Sequence, residues 1–338
     1  MIDGIILEDI EQISRRVKPD YFEGSNILVT GGGGFIGSYL CDALVKAGAN
    51  VTCMDDFSTG LTENVDHLFE MRNFVMAKGD VSNFESGKSY EFILHFASRA
   101  SPEEYQRNPV RTLLANSHGS HKMLEIARKH DSRILFASSS EVYGDAKTIP
   151  TPESYWGNVN PVGVRSCYDE GKRYGEALFM AYHREYKLDT RIVRIHNTYG
   201  PRLRADGAYA RALSRFVLQT LRGEDITIYG DGSQTRSFCY ITDTAPGVLL
   251  ALAEKKLSGE VFNIGSSQEI SILDLAERIR KMTGSKSNVV HYPLPADDPT
   301  RRCPDITKAR LVLNWTPQVS LEEGLDRTLR WFRTSKLT

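Results

Sequence analysis

A run of glycines directly after a short apolar stretch is the sequence feature that most limits how this chain folds. Residues 27–37 read Ile-Leu-Val-Thr-Gly-Gly-Gly-Gly-Phe-Ile-Gly, which spaces Gly31, Gly34 and Gly37 three residues apart. The apolar residues predict a buried strand, and the glycines permit a tight turn and close packing of the following helix on that strand. The first amides of a helix beginning near Ile36 are free to bind an anion. The segment therefore predicts a strand, a turn and a helix that together can hold a pyrophosphate.

Strand-like and helix-like patterns alternate through the first half of the chain. After the first strand, further strands are predicted at 51–54, 74–77, 92–96, 134–138 and 190–195, and helices are predicted from about Pro109 and over 168–186. Nearly continuous apolar strands that alternate with helices indicate a parallel sheet with helices on both faces. We therefore predict an α/β fold: a Rossmann-like, doubly wound parallel sheet with a smaller α/β C-terminal substrate-binding domain.

The domain organisation follows from where this regularity weakens, which is beyond Gly200. The elements predicted there are shorter, at 211–221, 273–282 and 321–332. We predict an N-terminal extension over 1–25, a dinucleotide-binding domain over 26–200 with a returning segment near 235–257, and a mainly substrate-binding domain over 201–338. Ligand should lie between the two domains, at the carboxyl ends of the strands. Within the extension, a short amphipathic helix on the main domain is predicted by the spacing of Ile6, Leu7, Ile10, Ile13 and Val17.

Composition excludes several classes of function. Lys and Arg number 42 against 43 Asp and Glu, which removes the electrostatic argument for nucleic acid or an anionic membrane as a partner. The five cysteines form no CxxC pair and have no zinc-site spacing, so we expect free thiols and no metal. No apolar run approaches the roughly 20 residues of a membrane helix. We expect a cytoplasmic protein.

Two aspartates follow the second predicted strand, about 20 residues beyond the glycine turn. An acid at that point accepts hydrogen bonds from the adenosine ribose hydroxyls and repels a ribose phosphate, which favours NAD over NADP. Asp55 is preferred to Asp56 because it comes first. Asp80, after the third strand, is expected at the adenine end. The alternatives are a structural glycine turn followed by solvent-facing acids and, for Asp80, an ordinary turn aspartate.

Tyr168 and Lys172 are four residues apart at the start of a predicted helix, so both side chains project from one face. A neighbouring ammonium and a positive nicotinamide ring would both favour the phenolate and make Tyr168 a base near neutrality. An amphipathic surface pair has the same spacing.

Together with the glycine turn, this pair resembles the extended short-chain dehydrogenase/reductase family over roughly residues 25 to 335. In that family a hydroxyl residue completes a catalytic triad, and residues 138–144 match the segment that carries it, with Ser139 at the expected position. Ser138 and Ser140 are then expected to be structural. The resemblance implies that NAD is held by Gly31, Gly34, Phe35, Ile36, Gly37, Asp55, Asp80 and Lys172.

Further separated segments look like one branch of that family, the UDP-glucuronic acid decarboxylases. These segments are residues 100–102 with Tyr105, 108–109, 155–161, 163–173, 197–202, 229–238, 297–299 and 304–306. The resemblance implies that Tyr168 deprotonates the hydroxyl on carbon 4 of UDP-glucuronate while NAD accepts the hydride. It also implies that the resulting ketone permits loss of carbon dioxide. The final product would be UDP-xylose, with NAD regenerated and a homodimer formed through the helix that carries Tyr168.

The same resemblance assigns roles to residues outside the triad. Arg236 would position the sugar and balance charge during decarboxylation, and Glu141 would organise the proton or water delivered to carbon 5. Asn197, Tyr229 and Arg302 would contact the diphosphate, the base and the phosphates. Other roles stay open: a buried acid for Glu141, a structural ion pair for Arg236, plain core for Tyr229 and solvated charge for Arg302.

Three departures from the decarboxylase pattern lie near the expected pockets. Arg99 stands where proline is usual, His196 replaces a phenylalanine, and residues 206–216 are about two residues longer than their counterpart. A 4,6-dehydratase therefore stays open, although Ser140 stands where many of those enzymes have an aspartate. A 4-epimerase, for which Glu141 is unexpected, and a catalytically silent binder of NAD or sugar nucleotide also stay open.

Overall fold

The computed structural model describes residues 2–335. Its helices are, in chain order, α1 Gly4–Arg15, α2 Phe35–Lys46, α3 Pro102–Arg107, α4 Pro109–Leu114, α5 Ser120–His130, α6 Ser166–Tyr186, α7 Ala212–Arg222, α8 Ile241–Ala253, α9 Ile272–Thr283, α10 Thr307–Val312 and α11 Leu321–Thr334. Its strands are β1 Asn26–Thr30, β2 Asn50–Asp55, β3 Phe74–Lys78, β4 Phe92–His95, β5 Arg133–Ser139, β6 Thr190–Ile195, β7 Thr198–Tyr199, β8 Ile226–Tyr229, β9 Thr235–Ser237, β10 Cys239–Tyr240, β11 Val261–Ile264, β12 Glu269–Ser271, β13 Val289–Tyr292 and β14 Arg301–Arg302.

Seven parallel strands form the central sheet in the order β11-β6-β5-β4-β1-β2-β3. The chain order reverses between β1 and β4, where Thr30 is paired with His95. Where the strand order reverses, the loops that follow the two neighbouring strands run in opposite directions. They leave a crevice at the carboxyl ends of these strands. The cleft described below lies at that position.

Helices cover both faces of this sheet. On one face α2 and α8 pack on the strands, and α1 lies against both of these helices; on the other face α5 and α6 pack on β4, β5 and β6. The strand interiors are almost wholly buried, which explains why their sequences are apolar without alternation. The expected α/β doubly wound fold is therefore confirmed.

The second half of the chain contributes to both parts of the molecule. After β6 the chain builds a parallel pair of β8 with β13 and a three-stranded sheet of β9, β12 and β14. It then returns to the central sheet, where α8 packs on the strands and β11 adds the seventh strand.

The N-terminal helix is held by an acid as well as by apolar side chains. Asp9 is fully buried and accepts hydrogen bonds from the hydroxyls of Tyr39 and Tyr240 and from the guanidinium of Arg327. The apolar side chains on this face are those expected except for Leu7, which is 47% exposed. Leu7 follows Ile6 directly, and 100° of helical rotation turns it away from the domain.

Candidate active site

The glycine turn between β1 and α2 leaves space that any side chain would fill. Gly31 has a φ of 71°, and a Cβ atom there would lie 2.8 Å from the backbone of Phe96. A Cβ atom on Gly37 would overlap the carbonyl oxygen of Gly31. Gly34 precedes α2 and supplies no side-chain cap, so the first amides of the helix are free to meet an anion. The turn therefore fits a pyrophosphate.

Asp55, at the end of β2, lies directly beside this turn. Its carboxylate accepts hydrogen bonds from the backbone N–H groups of Gly33 at 2.9 Å and Phe57 at 2.8 Å. Burial raises its pKa, although these two hydrogen bonds act in the opposite direction. A carboxylate has about four acceptor positions, so two remain for ribose hydroxyls. Asp80 accepts a hydrogen bond from the Ser82 N–H, as an ordinary turn aspartate does, and also faces the cleft.

Tyr168 and Lys172 come together on the first turns of α6. The Lys172 ammonium lies 5.6 Å from the centre of the Tyr168 ring and donates a hydrogen bond to the carbonyl oxygen of Ala137 at 2.9 Å. Tyr105 stacks on the other side of the tyrosine, with 5.0 Å between ring centres and 6° between ring planes. The reactive phenol is thus fixed by α6, by β5 and by α3.

In the protein alone, burial is the largest influence on the pKa of both residues of this pair. Burial raises the pKa of Tyr168 to about 12, while a hydrogen bond with Ser139 and the charge of Arg211 oppose the rise. Burial likewise lowers the pKa of Lys172 to about 7. Because desolvation dominates both groups, Tyr168 is not a base near neutrality until a ligand brings further positive charge beside it.

A group of ionised side chains lies next to the tyrosine. Glu141 accepts hydrogen bonds at Oε2 from Arg165 Nη2 at 2.6 Å and from Arg302 Nη2 at 2.7 Å. Asp298 accepts a hydrogen bond from Arg236 Nη2 at 2.9 Å, and its other oxygen is 3.5 Å from Arg165 Nη1. These five residues, with Asp169 at 3.9 Å from Arg165, are named the charge cluster below.

Four separate elements bring the charge cluster together. Glu141 lies in the short helical turn that follows β5, and Arg165 precedes the first residue of α6. Arg236 on β9 is paired in parallel register with Arg302 on β14. Two arginines are thereby held opposite each other, and the nearby carboxylates offset their repulsion.

The two carboxylates closest to Tyr168 titrate in opposite directions. Burial disfavours the ionised form of Glu141, but the charges of Arg302 and Arg165 outweigh burial and hold its pKa well below the usual range. Burial and the charge of Glu141 raise the pKa of Asp169 to about 7. Glu141 is therefore an ionised acceptor in this site and not a proton donor.

The two predicted arginines contact partners that the sequence did not indicate. Arg302, which was expected at the phosphates, contacts Glu141 directly. Arg236, which was expected in the decarboxylation step, is bonded to Asp298. Glu141 and Arg236 are nonetheless close enough for the arginine's charge to lower the pKa of the acid.

The residues predicted to hold the nucleotide lie further out along the same cleft. Asn197, between β6 and β7, donates a hydrogen bond to the carbonyl oxygen of Ser237 at 3.2 Å. Tyr229, at the end of β8, is 37% exposed, and the Arg215 guanidinium lies over its ring at 4.9 Å from the ring centre. A half-exposed aromatic ring beside a cation offers a flat surface for a base, and it is not plain core.

Two departures from the decarboxylase pattern have different surroundings. Arg99 faces the cleft and donates a hydrogen bond to the Ser58 hydroxyl at 3.0 Å. His196 is buried, and within residues 2–335 neither of its ring nitrogens forms a hydrogen bond. Burial lowers the pKa of His196 to about 3, and the charge of Arg302 adds to this effect. The imidazole is therefore neutral.

A cleft of about 1030 Å³ brings the predicted site residues together. Every residue that the sequence predicted for the site lines it: Gly31, Gly34, Phe35, Ile36, Gly37, Asp55, Asp80, Ser139, Glu141, Tyr168, Lys172, Asn197, Tyr229, Arg236 and Arg302. The cleft is continuous from the glycine turn past Tyr168 to Tyr229, so it can take a dinucleotide and a sugar nucleotide side by side.

Sequence reasoning missed four residues that line this cleft or adjoin it. Arg165 lies three residues before Tyr168, a spacing that puts two side chains on one face, so its position could have indicated it. Asp169 directly follows Tyr168, and because adjacent helical residues do not share a face, its spacing carries no such signal. Asp298 and Arg215 come from distant segments, and no local pattern connects them with Tyr168. Ser138, expected to be structural, donates its hydroxyl to Glu176.

Among residues 2–335, no three His, Cys, Asp or Glu side chains are grouped as metal ligands. None of the helices over that same range is both long and apolar enough to cross a bilayer.

Comparison with known proteins gives a consistent result. UDP-glucuronic acid decarboxylase 1 of Xenopus tropicalis is 45% identical over 307 residues, which are 91% of this chain and 72% of that protein. UDP-glucuronic acid decarboxylase 1 of Arabidopsis thaliana is 47% identical over 307 residues, 91% of this chain and 69% of that protein. A solved UDP-glucuronic acid 4-epimerase from Bacillus cereus, in complex with UDP-glucuronic acid and NAD, has a TM-score of 0.84 at 31% identity and covers 91% of this chain and 99% of its own.

The family assignment rests on a match that spans nearly the whole fold. The sequence profile described as GDP-mannose 4,6 dehydratase matches residues 28 to 328. That range runs from β1 through α11 and includes the glycine turn, the tyrosine-lysine pair and the charge cluster. The chain belongs to the extended short-chain dehydrogenase/reductase family, in the group that this profile describes.

Proposed function

We propose that this chain decarboxylates UDP-glucuronate to UDP-xylose through a 4-keto intermediate and regenerates NAD in each cycle. The observation that carries the proposal is the position of ionised Glu141, bonded to two arginines, in the same cleft as Tyr168 and Lys172. Exchange of a hydride at carbon 4 needs only the tyrosine, the lysine and a hydroxyl. The added charge cluster suits a sugar that carries a carboxylate. The names of the 45–47% identical relatives support this reading.

The glycine turn and Asp55 fit NAD. The turn leaves room for a pyrophosphate, and α2 directs free amides toward it. Asp55 can accept from the ribose hydroxyls, and its negative charge disfavours the additional phosphate of NADP. When bound, NAD accepts a hydride from carbon 4 and returns it after carbon dioxide has left.

Tyr168 removes the proton from the carbon 4 hydroxyl. Ser139 hydrogen-bonds the same hydroxyl and the phenol, which aligns the two oxygens. Lys172 stabilises the phenolate by its charge, and its hydrogen bond to the backbone of β5 fixes its position. The pKa of Tyr168 must fall from about 12 for this role, so proton removal is coupled to ligand binding.

Decarboxylation follows because the ketone at carbon 4 lies beta to the carboxylate. The bond between carbons 5 and 6 breaks, and its electron pair is delocalised onto the ketone oxygen as an enolate. Arg236 positions the sugar and balances the negative charge that develops. Arg302, which is bonded to Glu141, also balances this charge. Because Glu141 is ionised, the proton for carbon 5 comes from a water that its carboxylate orients.

The nucleotide end of the substrate lies toward β8. Asn197 is placed to contact the diphosphate, and Tyr229 to stack on the base. Among residues 2–335, no side chain or backbone group accepts a hydrogen bond from the buried Arg302 Nε, so this nitrogen is available to a phosphate oxygen of the substrate.

The organisation of the molecule follows the same scheme. We propose that 26–200, with the returning segment near 235–257, holds the cofactor, and that 201–338 mainly holds the sugar nucleotide. A homodimer through α6 and its neighbouring helix, and a cytoplasmic location, complete the proposal.

The second candidate is 4-epimerisation of the same substrate. It is favoured by the similarity to the Bacillus cereus UDP-glucuronic acid 4-epimerase. An epimerase must retain the carboxylate after the ketone forms, and nothing in that reaction uses an ionised Glu141. Dehydration at carbon 6 is disfavoured because Ser140 stands where a carboxylic acid would be needed.

The test is to incubate purified protein with UDP-glucuronate and catalytic NAD, trap carbon dioxide, and identify the sugar nucleotide by mass and NMR. We expect carbon dioxide and UDP-xylose in equal amounts. Tyr168→Phe is expected to abolish both, and Tyr186→Phe, which alters an exposed tyrosine at the far end of the same helix, is the matched control.

Each product has a distinct meaning. UDP-galacturonate without carbon dioxide would establish the epimerase. A 4-keto-6-deoxy sugar from a neutral nucleotide hexose would establish a dehydratase. Bound NAD with no product from any nucleotide sugar would leave only a silent binder.

A further inference from the structure

Two loops of the dinucleotide side are joined over the glycine turn by a side chain. Arg99, in the loop after β4, donates a hydrogen bond to the hydroxyl of Ser58, in the loop after β2, at 3.0 Å. Glu104 lies 3.3 Å from the same guanidinium nitrogen. Both loops border the glycine turn, since Gly33 is bonded to Asp55 and Gly31 lies against Phe96. The link therefore spans the crevice where a pyrophosphate would lie.

The longer segment after β7 crosses the same crevice from the substrate side. Arg204 forms a two-point ion pair with Asp206, stacks on Tyr209 with its guanidinium carbon 3.4 Å from the ring centre, and donates a hydrogen bond to the Thr59 carbonyl oxygen at 3.1 Å. The Tyr209 hydroxyl donates to the Ser58 carbonyl oxygen at 3.4 Å. Ser58 therefore receives a contact from each side of the cleft.

The other end of this segment is fixed to the loop after β4. The Ser101 hydroxyl donates a hydrogen bond to the carbonyl oxygen of Ala208 at 2.5 Å, and Arg211 donates one to the Ala100 carbonyl oxygen at 3.0 Å. The charge of Arg211 also reaches Tyr168. The segment is thus bonded to both dinucleotide-side loops.

We propose that Arg99, Arg204 and Tyr209 form a clasp that closes over the dinucleotide and retains it between turnovers. This inference rests on the proposed binding of NAD and adds to it a retention device that includes two departures from the decarboxylase pattern, Arg99 and the segment 206–216 with Tyr209.

A dinucleotide at the carboxyl ends of β1, β2 and β4 lies beneath the loops that the clasp joins, so its release requires Ser58 to separate from both of its partners. The two arginines also bring positive charge to the edge of a site for a doubly anionic pyrophosphate. Retention suits the proposed cycle, because escape of the reduced cofactor before the hydride returns would leave the sugar as a ketone.

The experiment measures cofactor release and not turnover. Protein loaded with NADH is mixed with excess ADP-ribose, and the loss of bound-NADH fluorescence gives the dissociation rate. The variant is Arg99→Met combined with Glu104→Gln, which avoids leaving a buried carboxylate without its cation. We expect dissociation to become at least about tenfold faster, as for loss of a charge-assisted contact.

Two further variants keep the result interpretable. Arg107→Met, on the exposed side of α3, is the matched control and should release NADH at the native rate. Tyr209→Ala opens the clasp from the other side and should accelerate release without altering Arg99. Native release rates in both clasp variants would overturn the clasp while leaving the decarboxylase proposal intact. Failure of the native protein to bind NADH would instead refute the proposed function.

Discussion

Glu141 and Asp169 lie in one buried cluster, yet their pKa values move in opposite directions. Glu141 accepts from two guanidinium groups at 2.6 and 2.7 Å, and the Coulomb attraction exceeds the cost of burial. Asp169 is 3.9 Å from Arg165, which is already bonded to Glu141, and one of its oxygens has no partner. Residue type alone does not separate these acids, because the distance to a cation decides which of them is ionised.

Replacing Glu141 with glutamine tests this separation of roles. We expect carbon dioxide release in Glu141→Gln to fall at least about 100-fold, the scale of a lost acid-base group. Reduction of NAD by UDP-glucuronate in a single turnover should persist, because Tyr168 and Lys172 are unchanged. Glu170→Gln, at a partly exposed site on α6, is the control. Undiminished carbon dioxide release would contradict the assigned role.

At the scale of elements, helices reach their positions through a few specific contacts. The amphipathic pattern of α1 was predictable from its isoleucines, but its buried acid and the partners of that acid were not. Tyr39, Tyr240 and Arg327 come from α2, β10 and α11, and only the folded chain brings them to Asp9. A local pattern can predict which face of a helix is buried, whereas the polar group that it meets depends on distant segments.

Asp9 makes the stability of the fold depend on pH. Burial raises its pKa from 3.8 to about 6, so protonation favours the folded state. The contribution of protonated Asp9 to the free energy of unfolding is about 3 kcal/mol. It is fully present below pH 3.8 and is lost as the pH rises through 6. Urea unfolding should therefore give the native protein a lower free energy of unfolding at pH 7.5 than at pH 4.5. Asp9→Asn should not show this decrease. Asp20→Asn, at an exposed site, should behave as the native protein does.

Gly175 allows α6 to lie directly on β5. A Cβ atom there would overlap the ring of Phe136, which is itself buried and lies 4.9 Å from the Lys172 ammonium. We expect Gly175→Ala to lower the free energy of unfolding by about 1–3 kcal/mol and to reduce kcat, because the lysine moves with the helix. Gly87→Ala, in open space, is the control. Denaturant unfolding together with steady-state kinetics would check both effects.

For the whole molecule, sequence predicted the sheet better than it predicted the site. The strands β1 and β6 begin and end where expected, because buried parallel strands are continuously apolar. The return of the chain to add β11 at the edge of the sheet, and the meeting of Arg165 with Asp298, could not be read from any window. The β6–β11 pairing and the ion pair both join residues far apart in the sequence, and periodicity carries no information at that range.

The proposed homodimer gives a prediction at this scale. Val110, Leu113, Leu114 and Tyr174 are exposed apolar side chains on α4 and α6. If these helices pack against a second copy, Leu113→Glu should place a charge in the interface and shift the protein to monomer in sedimentation velocity. Leu311→Glu, at an exposed leucine on α10, is the control and should leave the mass unchanged. A native protein that sediments as a monomer would exclude the dimer.

The parallel pairing of β9 with β14 has a consequence for which sugars the cleft accepts. Arg236 and Arg302 face each other in register, and with Arg165 they make three guanidinium groups against the carboxylates of Glu141 and Asp298. The fold therefore maintains a local excess of positive charge that a bound anion reduces. A neutral hexose leaves that excess in place, whereas a uronic acid reduces it on entry. Discrimination between the two is therefore built into strand register, and a one-residue slip of β14 would turn the Arg302 guanidinium to the opposite face and remove it.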